Sequence, residues 1–179
     1  MQEENPSDTY DGEIERCLEE CIPIIGSGIL NADNFKHPFF RPCLTRLAIL
    51  LADCLKRAKA VHNMECDVQA SGRTNRDPKP TIGYLVTEFR NSACHAFSDH
   101  RKVSGNYFDW ILLGPMAAGI KISGFSNLNM ELSNQFHNDI LVSTGLMQIY
   151  LARDMGGSFN WLADNFTSIP NRFEWREGE

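Results

Sequence analysis

Apolar side chains recur every three or four positions over much of this chain, the spacing of a helix that turns one face to a core. In the run EIERCLEECIPIIGSGIL, Ile14, Cys17, Leu18, Cys21, Ile22 and Ile25 keep that interval. Pro23 and the Gly26-Ser27-Gly28 stretch are expected to kink or end this helix. The clearest helix is predicted over 38–62. There Leu44, Leu47, Ala48, Leu51, Cys54, Leu55, Ala58 and Val61 hold the roughly 3.6-residue period of an amphipathic helix. Lys56, Arg57 and Lys59 near its end suit the negative pole of the helix dipole. A third helix is predicted from the cap Thr81 to about Ser98. Ile82, Leu85, Val86, Phe89, Ala93, Ala96 and Phe97 fall within about 120° of one another on it. Tyr84, Glu88, Asn91, His95 and Asp99 form a polar stripe opposite, with Arg90 and Cys94 between the two faces.

The segments between differ in kind. Residues 1–11 predict a flexible tail. Residues 66–80, with Gly72, Pro78 and Pro80 and no periodicity, predict a flexible loop. Residues 107–132 are aromatic and β-branched, with glycine punctuation, and predict two or three short strands. Helical spacing is expected to return over 137–155, to break at Gly156-Gly157, and to be followed by a short helical turn at Phe159, Trp161, Leu162 and Phe166. The expectation is one mainly α domain, residues 12–179: a helical bundle with a small antiparallel β insert at about 107–132.

Composition narrows the class. A chain of 179 residues, 42% apolar and 22% charged, is ordinary for one globular domain. No apolar run approaches a membrane span, and the acidic, polar start is the reverse of a signal peptide, so a cytoplasmic protein with no membrane partner is expected. The net charge of −6 argues against a general nucleic-acid coat. Residues 73–79 reverse that sign locally, with Arg73, Arg76 and Lys79 against Asp77. Six cysteines without a CxxC pair predict reduced thiols, with Cys17 and Cys21 on one helix face and Cys43 and Cys54 serving as small hydrophobes. Gly-rich phosphate loops are absent, and no cofactor or metal is expected. His95 and Asp99 at i,i+4, beside His100, lack a convincing third ligand. His37, His62 and His137 have no partner legible in the sequence.

Candidate chemistry concentrates in FRNSACH, residues 89–95. An imidazole can take the proton of a ribose 2′-hydroxyl or return one to a leaving oxygen. A guanidinium clamps a phosphate and stabilises its transition-state charge, and an amide orients the imidazole or hydrogen-bonds the substrate. On an ideal helix Arg90 and His95 point about 140° apart, while Asn91 and His95 share a face. Two copies of the helix packed about a two-fold axis would bring two such sets into one cleft.

An amphipathic helix bearing Arg90, Asn91 and His95 in the order R-N-x-x-x-H resembles the motif helix of the HEPN superfamily. The resemblance covers mainly residues 12–98 and extends to the helix expected after 137. It implies an up-and-down helical bundle, homodimerisation around the motif helices and, in many members, metal-independent cleavage of RNA. His95 would then be general base or acid, Arg90 the phosphate clamp and Asn91 the orienter, with a 2′,3′-cyclic phosphate and a 5′-hydroxyl as product ends. Such members act as toxins or antiviral effectors, often beside a protein antitoxin. Around the motif, Glu88 would tune the imidazole or stand as a solvated charge. Tyr84 would stack on a base or pack half-buried. Arg73, Arg76, Lys79, Arg101 and Lys102 are candidate phosphate contacts. The rival expectation is a non-catalytic HEPN-like dimer that recognises a nucleotide or a partner protein.

Overall fold

The structure is a computed structural model, and it describes residues 9–74, 76–95, 102–103, 106–107, 109–117, 120–123, 129–144 and 147–169. The chain is mainly helical with a small antiparallel sheet. Helix α1 spans Gly12–Gly26, α2 Phe40–His62, α3 Ile82–Cys94 and α4 Gly157–Phe166. The short strands are β1 (Lys102–Val103), β2 (Asn106–Tyr107), β3 (Ile111–Leu113), β4 (Ile120–Ser123), β5 (Asn129–Leu132), β6 (Leu141–Ser143) and β7 (Gln148–Tyr150). Among the described residues no helix is long and apolar enough to cross a membrane.

The predicted apolar stripes form the core. From α1 come Ile14, Leu18, Cys21 and Ile25, and from α2 Leu44, Leu47, Ala48, Leu51, Cys54, Leu55 and Ala58. Ile82, Leu85, Val86 and Phe89 of α3 and Phe159, Leu162 and Phe166 of α4 complete it. Val61, at the end of the α2 stripe, stands exposed instead. Asn63 closes α2 in the left-handed conformation (φ 54°), and its N–H donates to the carbonyls of Ala58 and Lys59.

Three expectations are corrected. The helix foreseen over 137–155 is instead the hairpin-like pair β6–β7, with Leu141 opposite Tyr150 and Val142 opposite Ile149. A one-and-a-half-turn π-helix, Leu151–Gly156, follows and runs directly into α4, so Gly156-Gly157 starts a helix where a break was expected. All three β6 side chains are buried, so its apolar run carries no alternation to mark it as strand. Second, the β region is no self-contained insert. Its strand β3 pairs with β6, with Ile111 opposite Ser143, giving the sheet order β3-β6-β7. Strands β4–β5 and β1–β2 form separate antiparallel pairs. Third, the tail does not reach Gly12. Asp11 is buried, caps α1 through the N–H groups of Glu13 and Ile14, and donates its own N–H to the Phe166 carbonyl at 2.9 Å.

The segment 66–80 is likewise tied down. Ile82 N–H donates to Val68, Gly83 to Cys66 and Ala70 to Pro80, which lays the segment against the start of α3. Its buried Thr74 accepts from the N–H groups of Arg76 and Asp77 and so folds the basic stretch into a turn. Arg73 exchanges both backbone bonds with Gln148 of β7. Gly72 packs so closely that a Cβ there would lie 2.2 Å from the Gln148 carbonyl oxygen and 2.7 Å from Leu85 Cδ2.

Candidate functional site at the end of α3

Thr81 caps α3 by accepting from Tyr84 N–H at 3.3 Å, as the sequence suggested. The far end differs. The helix stops at Cys94, and His95 is extended (φ −121°, ψ 110°), its N–H still donating to Asn91. The backbone thus leaves the helix at the histidine. His95 is exposed. Ala96, Phe97, Asp99, His100 and Arg101 lie outside the described residues.

Three motif-face side chains form a chain of bonds. Asn91 Nδ2 donates to Glu88 Oε1 at 3.4 Å, and Arg90 Nη1 donates to Asn91 Oδ1 at 3.3 Å. Asn91 thus orients the arginine, whereas the sequence suggests it as a partner of the imidazole or the substrate. Arg90 is half-buried, and among the described residues its buried Nε has no acceptor. The core side of the same helix is fixed by Ser92 Oγ donating to Thr144 Oγ1 at 2.9 Å and by Phe89 against Trp110, ring centres 5.5 Å apart.

The remaining candidates divide. Tyr84 is exposed, and its phenol is raised above its ordinary value by partial desolvation and then by Glu88, with Arg76 pulling the other way. Arg76 thus belongs to the same neighbourhood as Tyr84 and Glu88. Arg73 is drawn to β7 instead, its Nε donating to Gln148 Oε1 at 3.1 Å. Lys79 is exposed beside a tight turn in which its N–H donates to Asp77. Lys102 falls in β1, opposite Tyr107. Among the described residues no set of three His, Cys, Asp or Glu side chains is placed to hold a metal ion.

A concave feature elsewhere was invisible in the sequence. A cleft of about 610 Å³ lies where the turn at Ala32–Asn34, the 135–140 segment and the π-helix meet. Its lining includes Asn31, Asp33, Phe136, His137, Asp139 and Arg153, drawn from three distant stretches that no spacing rule connects. The Arg153 guanidinium lies over the Phe136 ring, 3.8 Å from its centre. Asp139 is committed to structure: it accepts from the N–H groups of Ile140, Ala152 and Arg153 and so caps the π-helix. No family model, curated protein or solved structure matches the chain.

Proposed function

We propose that this protein is a metal-independent endoribonuclease of the HEPN type, an up-and-down bundle that dimerises along α3. The observation that carries the reading is the pairing of a half-buried, amide-oriented Arg90, one of whose N–H groups lacks an acceptor among the described residues, with an exposed His95 at the helix end. In this reading His95 withdraws the 2′-hydroxyl proton, and the 2′-oxygen attacks the adjacent phosphorus. The 5′-oxygen leaves and takes up a proton, giving a 2′,3′-cyclic phosphate and a 5′-hydroxyl. Arg90 balances the charge that builds on the phosphate oxygens, and Asn91 holds Arg90. One imidazole cannot start as both base and acid, so a two-fold dimer offering two copies of His95 suits the chemistry. Arg76 and Tyr84 would meet the strand upstream, as phosphate contact and stacking surface. A toxin or defence effector held by a protein antitoxin is the biological role that accords with this activity.

The test is incubation of labelled single-stranded RNA and tRNA with the protein in EDTA, beside His95→Ala. Cleavage should persist in EDTA and fall by about 10²-fold or more in the variant. Equal activity in folded His95→Ala overturns the reading. A second reading, a non-catalytic dimeric binding module, draws on the 610 Å³ cleft, which is of a size that holds small ligands. It gains if the folded dimer leaves RNA intact while a nucleotide raises its melting temperature and Arg153→Ala abolishes that rise.

A further inference from the structure

We propose that the 610 Å³ cleft beside the π-helix is a binding site for an amino-acid zwitterion with a large apolar side chain. The cleft shares no lining residue with the α3 motif, and the proposal stands whether or not the chain cuts RNA. Three nearly inaccessible apolar residues, Leu30, Ile140 and Leu151, form part of its lining. Two charges of opposite sign line it as well, Arg153 from the π-helix and Asp33 from the turn at Ala32–Asn34.

Both charges are held in place, and neither is used up. Asp139 accepts the Arg153 backbone N–H at 3.0 Å. The guanidinium rests on the Phe136 ring, which packs edge-on against Tyr150 with ring centres 4.7 Å apart. Among the described residues that guanidinium has no hydrogen-bond acceptor, since its Nε stops 4.0 Å from Asp139 Oδ2. On the other side, Asp33 is set in its turn by donating its N–H to Asn31 Oδ1 at 2.6 Å. Asp33 is exposed, and among the described residues no cation lies within ion-pair distance of its carboxylate. A cation and an anion that line one cleft without pairing to each other complement a ligand bearing both signs.

The three features assign the three parts of such a ligand. Its carboxylate takes two parallel N–H bonds from Arg153. Its ammonium donates to Asp33, and its side chain packs on Leu30, Ile140 and Leu151. Small-molecule sites combine a mainly apolar lining with a few placed polar groups, and this cleft is of ordinary size for them. A nucleotide, the ligand of the second reading, is a poorer match. Among the described residues that line the cleft Arg153 is the one lysine or arginine, and a phosphate dianion would also meet Asp33 and Asp139. The π-helix adds a further pointer, because such turns are rare and recur at functional sites.

The test is isothermal titration calorimetry of the full chain with L-leucine, L-phenylalanine and L-tryptophan. Each is compared with its N-acetyl derivative, which lacks the ammonium, and its amide, which lacks the carboxylate; glycine and adenosine monophosphate complete the set. At least one of the three free amino acids should bind, with both of its derivatives weaker by about tenfold or more and glycine silent. Arg153→Gln should remove the preference over the amide, and Asp33→Asn the preference over the N-acetyl form. Derivatives that bind as well as their parent, or no heat from any of the three at millimolar concentration, overturn the proposal. Binding of adenosine monophosphate in place of the amino acids overturns it too, in favour of the second reading. The wild-type series decides the matter even if a variant fails to fold, and cleavage of RNA, measured separately, bears on neither result.

Discussion

Two buried carboxylates show how one side-chain type takes opposite parts. Burial of Asp11 pushes its carboxyl up, but bonds from Arg57 (2.7 Å) and His62 (3.0 Å) and from the N–H groups of Ile14 and Glu13 outweigh that and bring it down to about 2. Asp154 is buried against three N–H groups, those of Tyr150, Ser71 and Gly72, with Asp139 as a like charge, and desolvation carries it up to about 6. The signs follow by linkage. Ionised Asp11 favours the folded state above the ordinary carboxylate range, and that contribution is lost as pH falls from about 4 to 2. Asp11→Asn should therefore lower stability at neutral pH by about 2 kcal/mol, read as a reduced urea midpoint that converges on the wild type near pH 2. Asp154 acts the other way. Its neutral form is favoured on folding, so its contribution is present below the ordinary carboxylate range and lost as pH rises through about 6. Wild-type stability should fall by about 3 kcal/mol on this account between pH 4 and 7, and Asp154→Asn should flatten that limb. A midpoint that rises across pH 4–6 in the wild type and stays unchanged in Asp154→Asn would contradict the assignment.

At the scale of elements, helices with one apolar stripe were legible and buried strands were not. The stripe of α2 survives almost position for position because it faces a core on one side and water on the other, which is what periodicity measures. Strand β6 has no water-facing side, so Leu141 and Val142 merged with Ile149, Tyr150 and Leu151 into an apparent helical run. Gly145, between two runs rich in β-branched and aromatic residues, was the turn signal that run overrode. The site was legible in part for a related reason. Local spacing joined Glu88, Asn91 and Arg90 on one helix, but it could not bring Asp11 to His62 or Arg153 to Phe136, pairs that only the fold creates. Sheet position also sets opening order. The centre of β6, paired on both sides and packed on the core, should exchange its amides last among the strands, whereas the β4–β5 pair should exchange early, as hydrogen-exchange mass spectrometry would show. Exchange of β6 as fast as β4–β5 would mean that the sheet opens independently of the helices.

Across the whole molecule, Asp11 draws three helix ends together: it caps α1, binds Arg57 and His62 near the end of α2, and meets the end of α4 through the Phe166 carbonyl. His62 adds a ring contact with Phe166, 5.0 Å between centres. Deleting residues 1–11 should therefore lower the melting temperature by several degrees, whereas deleting 1–8 should leave these contacts intact. Equal melting of the two truncations would show that the contacts are incidental. Gly72 occupies another junction, where the 66–80 segment, β7, α3 and Asp154 meet. Every missense change that a single nucleotide can make in its codon installs a Cβ, and the nearest backbone oxygen leaves that atom no room. The codon is a point of near-zero genetic tolerance: a saturating variant library should retain glycine there alone, and any lineage carrying this fold should keep it however far its surface drifts.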